Sequence, residues 1–535
     1  MKYNQEEKNI VREQSLKNAI NSLTKNRKKS TLATKDYLKN AKGHLINKDN
    51  PIINYLDDET VIRWEKFYDS IVERKKPSDL KVAYLCGPNP LNDLQIMVEM
   101  GILPENVWAF EFDSQLYKEA VTTTLFSEFH YLKIINGKME TFFEHTPIKF
   151  DIIYFDACGP FPSKKSKTLQ TIVSIFKNHK LNSPGALITN FSLPNKDQDS
   201  ETWGNLVPLV GTYLYPKTFI ETGKSKHNCK EGPYDKYYDD DYSQIKGKWL
   251  TEVEKNLHNY YGQYITRLIS DIATIIVPYQ RLINNKEFLK IFFNDIYKDN
   301  YKLNEKFEEE IKLFTEIEEF SDEDGEIDYK GGEIYQDFTL MNVLFSIHEI
   351  DKNFKDSKLC KLLIKELSIS NNKESFVTNL KIAYYLLNQG LNEVDYYSGA
   401  LKNLHANWKD FSRHYLCDVF LFHQIKELLV TQITVPYFLN IDKTKRWTYK
   451  AKETQMYTDL LIFDECRYIF DWMPTIDMLE NNLDNKNIEL SYRLILDAVA
   501  KHLNNYNNDI FYGTHAVCFD NKKYKSKYLK IRKKI

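Results

Sequence analysis

The sequence lacks most of the features that would assign its class at a glance. Its seven cysteines (Cys86, Cys158, Cys229, Cys360, Cys417, Cys466 and Cys518) are scattered, odd in number and never spaced as CxxC. That pattern argues against a disulfide framework and against a zinc site built on cysteines alone. No apolar run approaches the roughly 20 residues of a membrane span. The opening Met1-Lys2-Tyr3-Asn4-Gln5-Glu6-Glu7 has no apolar core of the kind a signal peptide carries. A net charge of -2 gives no global attraction to nucleic acid or membrane. Internal repeats and heptad arrays are also missing. The expectation is a soluble, cytoplasmic protein with no membrane contact and no metal.

What the chain does have is length and aromatic bulk. At 535 residues it exceeds one ordinary core, so about two to four domains are expected. Hydrophobic residues make up 42%, enough for real cores, and 36 Tyr with 31 Phe suit large packed helical regions or stacking surfaces. Residues 1–80 read as a polar, helical N-terminal extension, in which Trp64 and Phe67 are spaced to dock a helix. Residues 81–223 alternate short apolar runs with amphipathic segments, the pattern of βαβ units and a parallel sheet. Residues 224–334 read as a helical connector ending in an acidic linker, with twelve carboxylates against two lysines between Glu305 and Asp328. Residues 335–535 read as mainly helical, with strand-like pieces at Thr431 to Leu439, Arg446 to Lys450 and Leu460 to Phe463. The fold class expected is therefore α/β, with a large, mainly α-helical C-terminal region containing a small mixed part.

The stretch from Lys81 to Phe191 carries the chemistry. A first run, Val82 to Cys86, stops at Gly87-Pro88-Asn89-Pro90; a second, Val107 to Phe110, stops at Glu111 and Phe112. A third, Leu132 to Ile135, ends at Asn136-Gly137, and a fourth, Ile152 to Phe155, stops at Asp156-Ala157-Cys158-Gly159-Pro160-Phe161. Ligands of open α/β sheets bind at the carboxyl ends of the strands, which puts Gly87, Glu111 and Asp156 along one crevice. A glycine after the first strand lets a ligand approach the backbone closely. Glu111, 24 positions after Gly87, can accept hydrogen bonds from both ribose hydroxyls. Met139 and Glu140 are placed to flank an adenine ring, and Asp156 is placed where the reactive end of a cofactor meets its substrate.

In that order and spacing the segment resembles the class I S-adenosylmethionine-dependent methyltransferases, with their Rossmann-like domain. Leu85-Cys86-Gly87-Pro88 is similar to the family's glycine-rich first motif, Phe110-Glu111 to its second, and the Asp156 turn stands at its fourth. The chain carries one glycine where the family has two or three, and Ala83 or Tyr84 at the family's acidic strand position, leaving Asn92-Asp93 to supply a polar group from the loop. The resemblance implies S-adenosyl-L-methionine as cofactor, with Cys86, Gly87, Pro88 and Asp93 around the methionine moiety. It assigns Glu111 to the ribose, Met139 and Glu140 to the adenine and Asp156 to the catalytic position, and it counts Phe112 among the cofactor-binding residues. It also implies methyl transfer, with nucleic acid as the favoured acceptor. The rival reading is a catalytically inactive nucleotide-binding or scaffold subunit of a nucleic-acid or defence complex.

Basic segments at Lys25 to Lys29, Lys164 to Lys167 and Lys522 to Lys534 suit a nucleic-acid partner, and the helical C-terminal half suits a protein partner. His227 with Cys229 and Asp239 to Asp241 matches no closed metal set. His414, Cys417 and His423 read as packing residues. Asp464-Glu465, near Arg467 and Asp471, reads either as a second active centre or as a sheet-edge ion pair.

Overall fold

The computed structural model describes residues 6–47, 54, 56–197, 199–214, 250–285, 287, 290, 318–321, 327–330, 358–367, 398–408, 429–472, 491, 494–495 and 529–535. The first five strands are β1 (Val82–Leu85), β2 (Val107–Glu111), β3 (Lys133–Asn136), β4 (Phe150–Phe155) and β5 (Leu181–Ser192). They pair in parallel, in the spatial order β3-β2-β1-β4-β5. The order reverses at β1, so the crevice of a doubly wound sheet opens between the carboxyl ends of β1 and β4. The turn expected at Ser183-Pro184-Gly185 lies inside β5, where the register against β4 shifts between Phe150 and Ile152.

Beyond β5 the sheet continues with residues from far down the chain. After a short hairpin β6 (Glu318–Ser321) and β7 (Ile327–Lys330), which form their own two-stranded sheet, come β8 (Phe438–Leu439), β9 (Lys445–Ala451) and β10 (Thr454–Asp464). β10 runs antiparallel to β5, from Met456↔Ser192 to Phe463↔Gly185, and antiparallel to β9 on its other side. The last strand, β11 (Lys533–Lys534), joins β9 in parallel. Thus the mixed strands of the C-terminal half and the α/β stretch of the N-terminal half belong to one sheet. The strand-like reading of Thr431 to Leu439 needs correction: residues 429–434 are helical, and only Phe438 and Leu439 pair. There Thr434 Oγ1 returns its hydrogen bond to the Val430 carbonyl, so a β-branched residue is accommodated within a helical turn.

Side chains alternate across the strands and cover both faces. One face sends Ala83, Phe110, Ile153, Phe155, Leu187, Phe191, Leu461 and Phe463 into a core with several helices. Four of these are α7 (Met139–His145), α8 (Thr168–Lys177), α9 (Ser200–Leu214) and α10 (Leu257–Asp271). The other face sends Val82, Tyr84, Val107, Ala109, Ile152, Tyr154, Ile188 and Leu460 against α1 (Glu6–Leu23), α5 (Leu91–Glu99) and α6 (Ser114–Leu125). The expected stop of α5 at Gly101 is present, with φ +90° and its N–H on the Val98 carbonyl. Between α1 and α5 lie α2 (Arg27–Ser30), α3 (Tyr37–Asn47) and α4 (Asp58–Ile71). Trp64 and Phe67 of α4 pack on Trp472, and Trp64 also reaches Tyr468, so this helix docks on the chain just after β10.

Two buried charge clusters tie these layers together. Asp464 accepts from Leu32 N, Ser183 Oγ, Cys466 N and Tyr468 Oη at 2.6–3.0 Å, so it acts as a structural junction between the N-terminal segment and the sheet. Asp459 faces Arg446 and Arg532 and accepts from Thr266 Oγ1 at 2.6 Å. Arg532 also donates to the Gly262 carbonyl at 2.7 Å, and a Cβ at Gly262 would come within 2.6 Å of its Nε. The end of the chain is thereby latched to α10 through a glycine that leaves room for it. Among the described residues, no helix is long and apolar enough to cross a membrane.

Removing a carboxylate buried between two guanidiniums strands both cations. Asp459→Ala should cost about 3–5 kcal/mol in denaturant unfolding. Lys533→Ala, on the exposed edge strand, should stay within about 0.5 kcal/mol.

Candidate functional site

The site is built from strand ends. β1 is fully buried until Leu85 and then turns sharply at Gly87, whose φ of +58° lies in the left-handed region. A Cβ at Gly87 would meet no other atom within 4 Å, so the glycine is required by backbone conformation and the turn is open on its outer side. Tyr84 Oη donates to the Pro90 carbonyl at 2.9 Å, fixing the start of α5. Cys86 is buried beneath the turn, and its burial, followed by the charges of Glu111 and Asp93, pushes its thiol up and keeps it neutral. Pro88 is exposed, and its carbonyl faces Thr123 Oγ1 at 3.5 Å.

Glu111 closes β2. Its carboxylate is buried, which raises its pKa above the ordinary range, while the N–H groups of Asp113 and Phe112 hold it back. The Asp113 N–H lies 2.9 Å from Oε1. Asp113 in turn caps α6, accepting from the Gln115 and Leu116 N–H groups. Phe112 is 62% exposed, a large ring left in solvent beside a buried carboxylate. Glu140 is half-buried and accepts from Thr171 Oγ1 at 3.3 Å. Met139 instead packs into the core with Phe110 and Phe143.

Asp156 ends β4 at the centre of a polar network that the sequence did not disclose. Asn190 Nδ2 donates to Oδ1 at 2.8 Å and to Tyr449 Oη at 3.0 Å, while Asn190 Oδ1 accepts from Thr458 Oγ1 at 2.8 Å. Cys158 Sγ donates to Oδ1 at 2.9 Å. Lys8 Nζ, reaching down from α1, lies 3.0 Å from Oδ2 and 3.4 Å from Cys158 Sγ. Burial alone would raise the Asp156 pKa; Lys8 and these hydrogen bonds outweigh it and hold the carboxyl below its ordinary value. Cys158 is exposed at the surface, but the protein enclosing its thiol and the Asp156 charge push that thiol up to about 12, so it serves as a neutral donor. The loop is closely packed beyond this point. Phe161 stacks on Phe191 at 4.8 Å, its N–H donates to Tyr261 Oη at 2.6 Å, and a Cβ at Gly159 would strike Ser166 Oγ.

A second ion pair lies deeper. Arg12, one turn after Lys8, places Nε 2.8 Å from Asp93 Oδ1 on α5. Burial raises the Asp93 pKa to about 6, with Arg12 pulling the other way and Asp156 adding to the rise. Gly87, Glu111 and Asp156 thus stand at or just past the carboxyl ends of the adjacent strands β1, β2 and β4, and the Lys8–Asp156 and Arg12–Asp93 pairs tie α1 to that edge. Lys8, Arg12, Asn190 and Tyr449 were missed, because each comes from an element whose place beside the crevice depends on tertiary pairing. Asn190 alone carried a signal, as a polar side chain inside an otherwise apolar strand.

Among the described residues no group of His, Cys, Asp and Glu could hold a metal. The His227 to Asp241 segment and the His414, Cys417 and His423 positions lie outside the described residues. A scan against protein-family models and a search of curated proteins each matched nothing. One solved structure similar over part of this chain is Arabidopsis thaliana protein arginine methyltransferase 10. It is 16% identical with a TM-score of 0.18, and the match spans 38% of this chain and 56% of that one. The fold therefore rests on the sheet itself: a mixed α/β sheet whose first five strands take Rossmann-like order.

The raised Asp93 pKa has a pH signature. Its ordinary value is 3.8 and its folded value about 6, so its contribution to stability is full below pH 4 and is lost as pH rises through 6. Relative to Asp93→Asn, the wild type should lose about 3 kcal/mol of stability across that window. Urea unfolding at intervals from pH 4 to 7 reads the difference, and parallel pH profiles would contradict the assignment.

Proposed function

We propose that the crevice binds S-adenosyl-L-methionine and that the protein is a methyltransferase or a close derivative of one. The observation that carries this reading is the alignment of an open glycine turn, a buried strand-end carboxylate and a second strand-end carboxylate on β1, β2 and β4. The residues suit the ligand. The Gly87 turn admits a backbone approach, Glu111 offers an acceptor to ribose hydroxyls, and the exposed Phe112 ring offers a face to the adenine. Glu140 would border the adenine, while Met139 supports that wall from the core. Asp93 with Arg12 supplies both signs of charge to an amino-acid moiety, and Asp156 with Lys8 is left to the acceptor side.

The sheet also separates this reading from a dinucleotide enzyme. A dinucleotide spans two βαβαβ halves of an all-parallel sheet. Here β4 and β5 keep the parallel pairing but the next position is taken by antiparallel β10, so the second half is incomplete, which favours a ligand with a single nucleoside. The bound sulfonium would supply an activated methyl group. The chain's own task is then alignment: α1 and the packed Asp156 loop would hold the acceptor side in place.

Lys164 and Lys165, exposed beside the Asp156 loop, favour a nucleic-acid acceptor, whereas the carboxylates lining the crevice favour a cation. A protein partner for the C-terminal half remains part of the proposal. The engagement of Asp156 by Lys8, Asn190 and Cys158 favours the rival reading of a silent nucleotide-binding subunit. Calorimetric titration with S-adenosyl-L-methionine separates the readings at the donor end. The wild type should bind, and Glu111→Ala should bind about tenfold or more weakly, as expected for losing hydrogen bonds to a charged acceptor. Absence of binding by the wild type would sink the donor assignment. Binding without transfer of labelled methyl to nucleic acid or protein would favour the silent subunit.

A further inference from the structure

The partner of Asp156 is informative about what else that carboxylate could hold. Lys8 Nζ reaches it at 3.0 Å from one side, Asn190 and Cys158 donate from the other, and every contact is from a donor to the carboxylate. Asn190 has no choice of orientation: the ionised Asp156 only accepts, so the amide NH2 faces it and Tyr449, and the carbonyl is left to accept from Thr458 Oγ1. The pair sits at the rim, since the Lys8 side chain keeps 27% of its exposure and Asp156 keeps 11%. The Arg12–Asp93 pair lies deeper, at 12% and 7%. Lys8 is thus an ammonium on a flexible stem that solvent can reach, seated on a carboxylate that solvent barely reaches.

We propose that Asp156 is the seat for a cationic amino group of the substrate, and that Lys8 holds that seat in the free protein. Leaving a buried carboxylate without a cation is strongly unfavourable, so the seat must stay filled. Exchanging one ammonium for another keeps the charge balance, and the cost is mainly that of undocking a tethered side chain. A phosphate arriving at the same point would meet the carboxylates of Asp156 and Asp93. The acceptor class this favours is an amine-bearing substrate, such as a basic protein side chain or a polyamine. The inference extends the crevice reading to its acceptor side but does not depend on the identity of the donor.

The test uses n-butylammonium chloride, a mimic of the lysine side chain, read by thermal unfolding of the full chain without any methyl donor. Lys8→Ala should be stabilised saturably by n-butylammonium. The wild type should need about tenfold more to reach half-effect, because Lys8 competes intramolecularly. Butan-1-ol and potassium chloride should do nothing comparable, and Lys8→Ala/Asp156→Asn should lose the effect. Lys8→Gln, which keeps the stem, replaces the alanine variant if that one does not fold. No saturable response in either single variant would overturn the proposal, as would a response that survives in the double variant. Stabilisation of the wild type by a single-stranded oligonucleotide, with none by the alkylammonium, would also overturn it, in favour of a phosphate-bearing substrate. Because no donor is present, failure here is distinct from failure to bind S-adenosyl-L-methionine.

Discussion

The antiparallel seam between β5 and β10 is the constraint on which the rest of the structure depends. It pairs eight successive positions, from Met456 against Ser192 to Phe463 against Gly185, and so joins segments from opposite halves of the chain. Without it, Asn190 would not meet Thr458 and Tyr449, and Asp156 would lose the amide that fixes it. At the other end of the seam, Asp464 would lose Ser183, and with it the junction that holds Leu32 and the N-terminal helices. Sheet, site and N-terminal layer are consequences of one pairing.

The chemistry at the crevice follows from how buried charge is balanced there. Three carboxylates lie at or near the strand ends, and each is answered differently. Glu111 is met by backbone N–H groups and, among the described residues, pairs with no cation, and its burial raises its pKa. Asp93 is met by Arg12 in a deep position where burial still prevails. Asp156 is met by a cation and by two further donors, and it stays ionised. The contrast suits distinct tasks along one groove: an acceptor for hydroxyls at one end and a fixed anion at the other. Both cations come from α1, which makes the first helix part of the site as well as part of the core.

Much of the α/β stretch was legible in the sequence because parallel strands buried on both faces read as short apolar runs that stop at polar residues. Val82 to Leu85, Val107 to Glu111 and Phe150 to Phe155 all form strands, and Gly87, Glu111 and Asp156 fall at their ends. The joining of β9 and β10 to that sheet was not legible. A pairing across more than 250 residues leaves no local pattern, and Arg446 to Lys450 reads the same whether it extends this sheet or forms another. Lys8 and Arg12 were hidden for a related reason: on an amphipathic helix they look like any solvated charges until α1 is set over the crevice. Local propensity also misled at Thr431 to Thr434, where β-branched residues lie in a helical turn.

The central claim is that the carboxyl ends of β1, β2 and β4 form one nucleoside-binding crevice. Amide hydrogen exchange with and without S-adenosyl-L-homocysteine, the methyl-free form of the proposed donor, tests it directly. The account predicts slowed exchange at residues 86–93, 111–113 and 137–140 together, with the sheet core unchanged. Slowing confined to other segments, or no slowing at saturating ligand, would contradict it.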